Sequence, residues 1–144
     1  MSQEKLNETT LYGRIGGYEG ISIFATKFLA RLQTDRQLGR FWANRGSDGI
    51  ARETLLLIDF LCANAGGPQA YNGRDMVSTH RGMGITESDW AIFFEHAAAT
   101  MDALELGQRE CDEIVALISS HKDDIIELSP PPIKRGATIE RELT

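Results

Sequence analysis

Apolar residues recur along this chain at intervals of three and four, and this spacing constrains its fold more than any other feature. The pattern runs through residues 21–32, 50–61, 90–104 and 114–125. Such a period places apolar side chains on one face of an α-helix. A half-buried strand would instead alternate with period two, and no such alternation persists in the sequence. We therefore predict an all-α fold with about four substantial helices and several short turns.

Glycine, proline and capping residues mark the expected ends of these helices. Two helices are expected to end at glycine pairs, at 16–17 and at 66–67, and Pro68 follows the second pair. A later helix is expected to end at Gly107, and the last one at Pro130. The expected capping residues are Thr34 or Asp35 before a tight helical turn, Ser47 or Asp48 before the next long helix, and Thr86 with Asp89 before the one that follows. The last helix is expected to carry His121 on its apolar stripe and to leave Glu113 to water.

Length and charge limit the domain count and the class of partner. The 144 residues suit one domain, expected over 10–128, with a flexible segment at 1–9 and a mobile tail at 129–144. A net charge of −6 argues against nucleic acid, which needs a basic face. The longest apolar run, 90–94, is too short to span a membrane, and no signal-peptide core is present. Together with Cys62 and Cys111, expected to be reduced thiols, this predicts a cytoplasmic protein.

A short segment fenced by glycines contains the chemical candidate, His80. Gly82 and Gly84 stop a helix that starts after the 66–68 turn, and Met76 and His80, four residues apart, share one face of it. A thioether beside an imidazole suits a flat apolar ligand. His80 is therefore either a ligand to such a group or a solvent-facing cation near a helix end.

The other polar candidates carry weaker signals. His96 is expected to be a partly buried structural residue, whereas His121, on an apolar stripe, needs a hydrogen-bond partner or a ligand. Arg74 and Arg81 flank His80 closely enough to neutralise a carboxylate on a bound group. Solvated helix surfaces or caps are expected at Glu53, Asp59, Asp75 and Asp89. No phosphate loop, paired metal-spaced histidines or nucleophile elbow is found.

Taken together in their order and spacing, these residues resemble a truncated haemoglobin of group I over about residues 10–126. The resemblance rests on Gly16-Gly17, Phe41-Trp42, Phe60-Leu61 before Gly66-Gly67-Pro68, Tyr71, Gly73-Arg74-Asp75-Met76 and the stretch from His80 to Ile85. It implies a globin-like, two-over-two helical sandwich around haem b, with His80 as the proximal iron ligand. It also implies a histidine setting at His121 like that of members whose haem is covalently attached.

The same resemblance assigns residues to the two faces of the haem. It implies a lining made of Leu57, Phe60, Leu61, Met76, Ile85, Phe93 and Ile118. It also implies that Tyr71 or Arg74 meets a propionate and that Trp42 or Phe41 stacks on the ring. The implied distal pocket, where the gas binds, comprises Leu29, Trp42, Glu53 and Leu57.

The distal side departs from the family pattern. Many members place a tyrosine where this chain has Leu29, and glutamine, threonine or histidine where it has Glu53, Leu56 and Leu57. Leu56 cannot ligate iron. Without the tyrosine hydroxyl, oxygen is expected to leave quickly unless Trp42 donates its indole N–H.

The predicted function is reversible binding and transport of O2, with NO and CO as related ligands. Two other functions stay open at this point. One is a haem enzyme that detoxifies nitric oxide or acts as a peroxidase, served by a reductase partner. The other is a helical interaction module without haem, in which His80 is structural.

Overall fold

The computed structural model describes residues 10–43, 45–68, 71, 73 and 75–127. The helices are α1 (Leu11–Ile15), α2 (Gly17–Thr34), a 3₁₀ helix (Leu38–Trp42), α3 (Ser47–Asn64), α4 (Met76–His80), α5 (Glu87–Ala103), α6 (Gln108–Ser119) and α7 (Lys122–Ile125). These described ranges contain no strand, which confirms the all-α prediction. The segments 1–9 and 129–144, for which flexibility is predicted, lie outside the described residues.

Helix α2 is the centre of the packing. It contacts α1, α3, α5 and the 3₁₀ helix, while α1 also contacts α6 and α4 packs against α7. The apolar stripe predicted for α2 is buried as expected, with Ile21, Phe24, Phe28 and Leu32 each no more than 4% exposed. The core thus joins the four long helices, and α4 stands at its margin with α7.

Two of the predicted caps are present. Thr86 Oγ1 accepts the Asp89 N–H at 3.0 Å, and the Asp89 carboxylate accepts the Thr86 N–H at 3.0 Å, so this pair forms a complete capping box for α5. Asp35, rather than Thr34, caps the tight turn, since its Oδ2 accepts the N–H groups of Gln37 and Leu38.

Three boundaries differ from the sequence prediction. Helix α3 begins at Ser47 with Gly46 in the N-cap position, so neither Ser47 nor Asp48 is the cap. Helix α5 ends at Ala103, with Glu105 in a left-handed conformation (φ 56°), and Gly107 is the N-cap of α6 instead of the end of α5. The last predicted helix is broken: α6 ends at Ser119, and His121 is the N-cap of α7.

Helix α1 is held by hydrogen bonds to two of the long helices, at the C-terminal end of α3 and in the first half of α6. The Tyr12 N–H donates to the Ala65 carbonyl at 2.9 Å. Arg14 donates to Glu110 and Glu113, each at 2.7 Å, so Glu113 is not left to water as the sequence suggested. A Cβ on Gly20 would lie 2.2 Å from the Ile15 carbonyl oxygen, so only glycine allows this approach of α2 to α1.

The two cysteines are free thiols on different helices. Cys62 in α3 is fully buried, and Cys111 in α6 is half-buried. Burial raises the pKa of the Cys62 thiol to about 11. Among the helices of the described segments, none combines the length and apolar character needed to cross a membrane.

Candidate functional site

His80 ends the five-residue helix α4, and its ring is already oriented. Its Nδ1 lies 2.9 Å from the Met76 carbonyl oxygen, one helical turn earlier. A carbonyl only accepts, so Nδ1 carries the proton and Nε2 keeps its lone pair. Burial lowers the pKa of the imidazole, and the Met76 bond offsets this only in part. A neutral ring with a free Nε2 is the form that ligates iron.

The turn after His80 is held by the end of the described chain. The helix ends at His80, as the glycines after it predict, and Gly82 and Gly84 lie in the following turn with φ of +83° and +72°. The Gly82 N–H donates to Glu127 Oε2 at 2.7 Å, and the Gly84 N–H donates to Glu127 Oε1 at 2.8 Å. The Met83 N–H donates to the His80 carbonyl at 3.2 Å. The backbone at His80 is therefore linked to Glu127 through one turn.

Three of the predicted ligand-contacting residues form one aromatic group. The Phe60 ring lies edge-on to Tyr71 at 5.3 Å and to His121 at 5.1 Å. The end of α3, the connection after it and the break between α6 and α7 therefore meet at Phe60. All three side chains are half-buried.

The remaining predicted lining residues lie nearer the core. Phe93 contacts Phe28 at 5.0 Å and Trp90 at 5.1 Å. Ile85 and Ile118 are each 8% exposed. Leu57 and Leu61 are partly buried side chains packed against the core.

Some apolar side chains lack that packing. Phe60 and Met76 are half-buried and lie outside the packed core, while Leu56 is 37% and Val77 43% exposed. Apolar surface left open on α3 and on the helix that ends at the oriented His80 fits a flat apolar group such as haem.

The 3₁₀ helix that carries Phe41 and Trp42 is fixed to α5 by a buried carboxylate. Asp89 is 1% exposed and accepts from Arg40 at 2.8 Å and from Gln37 at 2.6 Å. Burial alone would raise its pKa, but the bonds from Arg40, Gln37 and Thr86 outweigh burial and hold the pKa at about 2. Asp89 is thus a cap, one of the two roles expected from the sequence, but its carboxylate is buried and not solvated.

The predicted distal residues differ in their surroundings. Leu29 and Leu57 are half-buried against the core, whereas Glu53 forms an ion pair with Arg45. The Arg45 N–H also donates to the Trp42 carbonyl at 3.1 Å. Arg45 therefore connects the 3₁₀ helix to α3, a role that its place in a predicted loop did not reveal.

The other polar candidates are placed as follows. His96 is half-buried with its Nε2 2.8 Å from Asp35 Oδ1, the structural setting expected for it. Arg74 lies outside the described residues, so the proposed propionate contact is represented here by Tyr71 alone. Among the described residues, no group of three or more histidine, cysteine or acidic side chains is arranged to hold a metal ion.

Two cavities lie away from His80. A small apolar one of about 20 Å³ is lined by α1, α2, α3 and α6, with Phe24, Leu61 and Ile114 among its walls. A wider open groove of about 530 Å³ runs beside Arg14, Asn64 and Ser120.

Comparison with known proteins gives a consistent family match. The family model of bacterial-like globins matches residues 10–127. The group 1 truncated haemoglobin of Mycolicibacterium paratuberculosis is 28% identical over 115 residues, which cover 80% of this chain and 82% of the relative. That of Nostoc sp. (strain MUN 8820) is 31% identical over 93 residues, covering 65% and 76%.

A solved structure shares the fold. The 2/2 haemoglobin of Synechococcus sp. PCC 7002, solved in the cyanomet state with covalently attached haem, superposes with a TM-score of 0.75 at 24% identity. The match covers 82% of this chain and 98% of the other. The helical arrangement described above is therefore that of a two-over-two globin.

Proposed function

We propose that this chain, which belongs to the bacterial-like globin family as a group 1 truncated haemoglobin, holds haem b through His80 and binds O2 reversibly. Proteins of this family bind haem and gaseous ligands. The observation that carries the assignment of His80 is its Nδ1 contact with the Met76 carbonyl at 2.9 Å. That contact leaves Nε2 free to ligate iron.

The surroundings of His80 suit the porphyrin. Phe60 and Met76, both outside the packed core, would cover its faces and edge, and Ile85, Phe93 and Ile118 would close the apolar wall behind them. Tyr71, in edge contact with Phe60, would meet a propionate. Bound haem supplies an iron that takes up diatomic gases, and the chain supplies the ligand, the apolar enclosure and the exclusion of water.

The visible spectrum tests this assignment. Purified protein reconstituted with haem is expected to show a Soret band that shifts between the ferric, ferrous and carbon monoxide forms. His80→Ala should change all three spectra, whereas His96→Gln, at a histidine paired with Asp35, should leave them unchanged. Identical spectra for His80→Ala and wild type would contradict the proximal role. No Soret band in wild type would favour a helical module without haem.

The distal side is proposed to be apolar, and to release oxygen quickly. Leu29 and Leu57 offer no hydrogen-bond donor, and Glu53 is paired with Arg45. The indole N–H of Trp42 is the remaining candidate donor. Its loss in Trp42→Phe should accelerate oxygen dissociation roughly 2- to 13-fold, the value of one hydrogen bond. An unchanged rate in stopped-flow measurements would remove Trp42 as the donor.

His121 is proposed to attach covalently to a haem vinyl group. Its half-buried ring lies 5.1 Å from Phe60, next to the proposed haem site, and the Synechococcus relative carries covalently attached haem. The imidazole N–H would add across the vinyl double bond: nitrogen bonds one vinyl carbon, the other gains the proton, and no oxidant is consumed. Acidic organic solvent should then leave haem on wild-type holoprotein after reduction, but remove it from His121→Ala. Complete extraction from both would refute the bond.

We further propose a cytoplasmic setting, which the free thiols of Cys62 and Cys111 support. A reductase partner belongs to this proposal only if ligand turnover is found. Steady reduction with excess nitric oxide distinguishes the two functions, because turnover would favour detoxification and simple binding would favour oxygen carriage.

A further inference from the structure

We propose that Glu127 is a positioning residue for the iron ligand, and this inference rests on the assignment of His80 as that ligand. The carboxylate of Glu127 fixes the turn that follows His80, and so sets how the imidazole approaches the iron. The residue lies 47 positions after His80 in sequence (127 minus 80), and no motif near either residue suggests the link.

The contact has three points on one short turn. Glu127 Oε2 accepts the Gly82 N–H at 2.7 Å, and Oε1 accepts the Gly84 N–H at 2.8 Å. The backbone N–H of Glu127 donates to the Ile85 carbonyl at 2.9 Å. Backbone N–H groups brought together by left-handed residues form a cradle for an anion, and φ of +83° at Gly82 and +72° at Gly84 supplies that shape.

This turn is continuous with the proximal histidine. The Met83 N–H donates to the His80 carbonyl at 3.2 Å, and His80 Nδ1 contacts the Met76 carbonyl at 2.9 Å. Because α4 has five residues, it is far too short to hold its own geometry without support. A displacement of the turn therefore moves the imidazole, and Glu127 restrains that turn.

The segment that presents Glu127 is itself docked. Lys122 in α7 lies 3.1 Å from Glu87 in α5, and Ile125 and Ile126 pack against the core. Helix α7 also packs on α4. Glu127 thus connects the iron ligand to a segment anchored on the main helical body, although its own side chain is exposed.

Three variants test the proposal in haem-loaded full-length protein. Glu127→Gln keeps the shape but replaces one acceptor oxygen by a donor. Glu127→Asp keeps the charge on a shorter stem. Asp124→Asn removes the same charge three residues earlier, from an exposed side chain of α7, and is the matched control.

Two readouts separate positioning from general stability. The first is the iron–histidine stretching band of the ferrous, ligand-free protein, measured by resonance Raman spectroscopy. The second is the rate of haem transfer to excess apomyoglobin. Glu127→Gln is expected to shift or broaden the band and to transfer haem roughly 2- to 13-fold faster, the value of one lost hydrogen bond. Glu127→Asp should fall between it and wild type, and Asp124→Asn should match wild type.

The other outcomes also decide the matter. If Glu127→Gln behaves as Asp124→Asn does in both readouts, the positioning role is wrong. Faster haem transfer with an unchanged band means loss of stability alone, and overturns it too. His80→Gly should abolish the band. If the band survives in that variant, the assignment of His80 fails and the role of Glu127 fails with it, whereas loss of the band with a normal Glu127→Gln spectrum overturns only the latter.

Discussion

The turn that follows His80 and the 3₁₀ helix that carries Phe41 and Trp42 are both held by a carboxylate from a distant part of the chain, but the two carboxylates differ in burial. Asp89 is 1% exposed and bonds two side chains and a backbone N–H. Glu127 is exposed and bonds two backbone N–H groups.

This difference in burial separates two kinds of support. A buried carboxylate leaves several donors unsatisfied when it is removed, so its loss is costly to folding. An exposed carboxylate leaves donors that water can reach, so its loss relaxes local geometry at small cost to the whole fold. The 3₁₀ helix with Phe41 and Trp42 is therefore coupled to global stability, while the turn after His80 is adjustable.

The largest expected effect comes from removing the buried carboxylate. Asp89→Ala should lower the free energy of unfolding by roughly 2–4 kcal/mol, because Gln37, Arg40 and the Thr86 N–H lose their common acceptor. Urea denaturation of the apoprotein measures this. The matched control is Asp112→Ala, at an exposed side chain that accepts from Gln108, which should stay within about 0.5 kcal/mol. Equal effects would show that burial is not what distinguishes Asp89.

Low pH should remove the contribution of the Asp89 carboxylate to the free energy of unfolding. The folded pKa of Asp89, about 2, lies below its ordinary value of 3.8. The unfolded chain therefore binds the proton first as pH falls, and the stability is present in full above pH 3.8 and is lost as pH drops through 2. The difference in unfolding free energy between wild type and Asp89→Ala is expected to shrink over this interval. A difference that stays constant from pH 4 downward would contradict the charged network.

The N-terminal cap of α5 is expected to contribute less to the free energy of unfolding than the Asp89 carboxylate does. Thr86→Ala removes the hydroxyl that accepts the Asp89 N–H but keeps the carboxylate, so a loss of about 1 kcal/mol in unfolding free energy is expected. Thr34→Ala, at an exposed hydroxyl that bonds within its own helix, is the control in the same urea titration. A loss as large as that of Asp89→Ala would mean that the cap, and not the contact with Arg40, holds the 3₁₀ helix.

The smallest effect is expected at the exposed ion pair between Arg45 and Glu53, whose side chains are 43% and 36% exposed. Glu53→Gln should change the unfolding free energy by at most about 0.5 kcal/mol, and the change should disappear in high salt. Thermal or urea unfolding at two salt concentrations tests this. A large, salt-independent loss of unfolding free energy would show that Glu53 stabilises the fold as the buried carboxylate of Asp89 does.

Much of the fold was predictable because helix period and capping chemistry are local. The apolar stripe of α2, the capping box of Thr86 and Asp89, and the glycine stops at 82 and 84 all follow from neighbouring residues. The break before α7 did not, since Ser120, His121 and Lys122 are polar residues that carry no strong stop signal.

The site was predictable only in part, for the same reason. His80 and Met76 are four residues apart, and one helical turn brings them together. Glu127 and Arg40 act across the fold, at sequence distances where neither period nor motif gives information. Arg45 is closer to its partner Glu53, but it lies in a predicted loop where helix period gives no information. The burial of Asp89 likewise comes from the elements packed around it.

The rate at which the buried thiol of Cys62 is labelled can measure how often α3 detaches from the core. The thiolate is the nucleophile that attacks thiol reagents, and a pKa of about 11 together with full burial makes that species scarce while α3 stays packed. Labelling of Cys62 therefore requires transient detachment of the helix, and the labelling rate depends on how often this detachment occurs. Because Leu57 and Phe60 lie on the same helix, slower labelling after a ligand is added would show, without any colour change, that the ligand closes this side of the molecule.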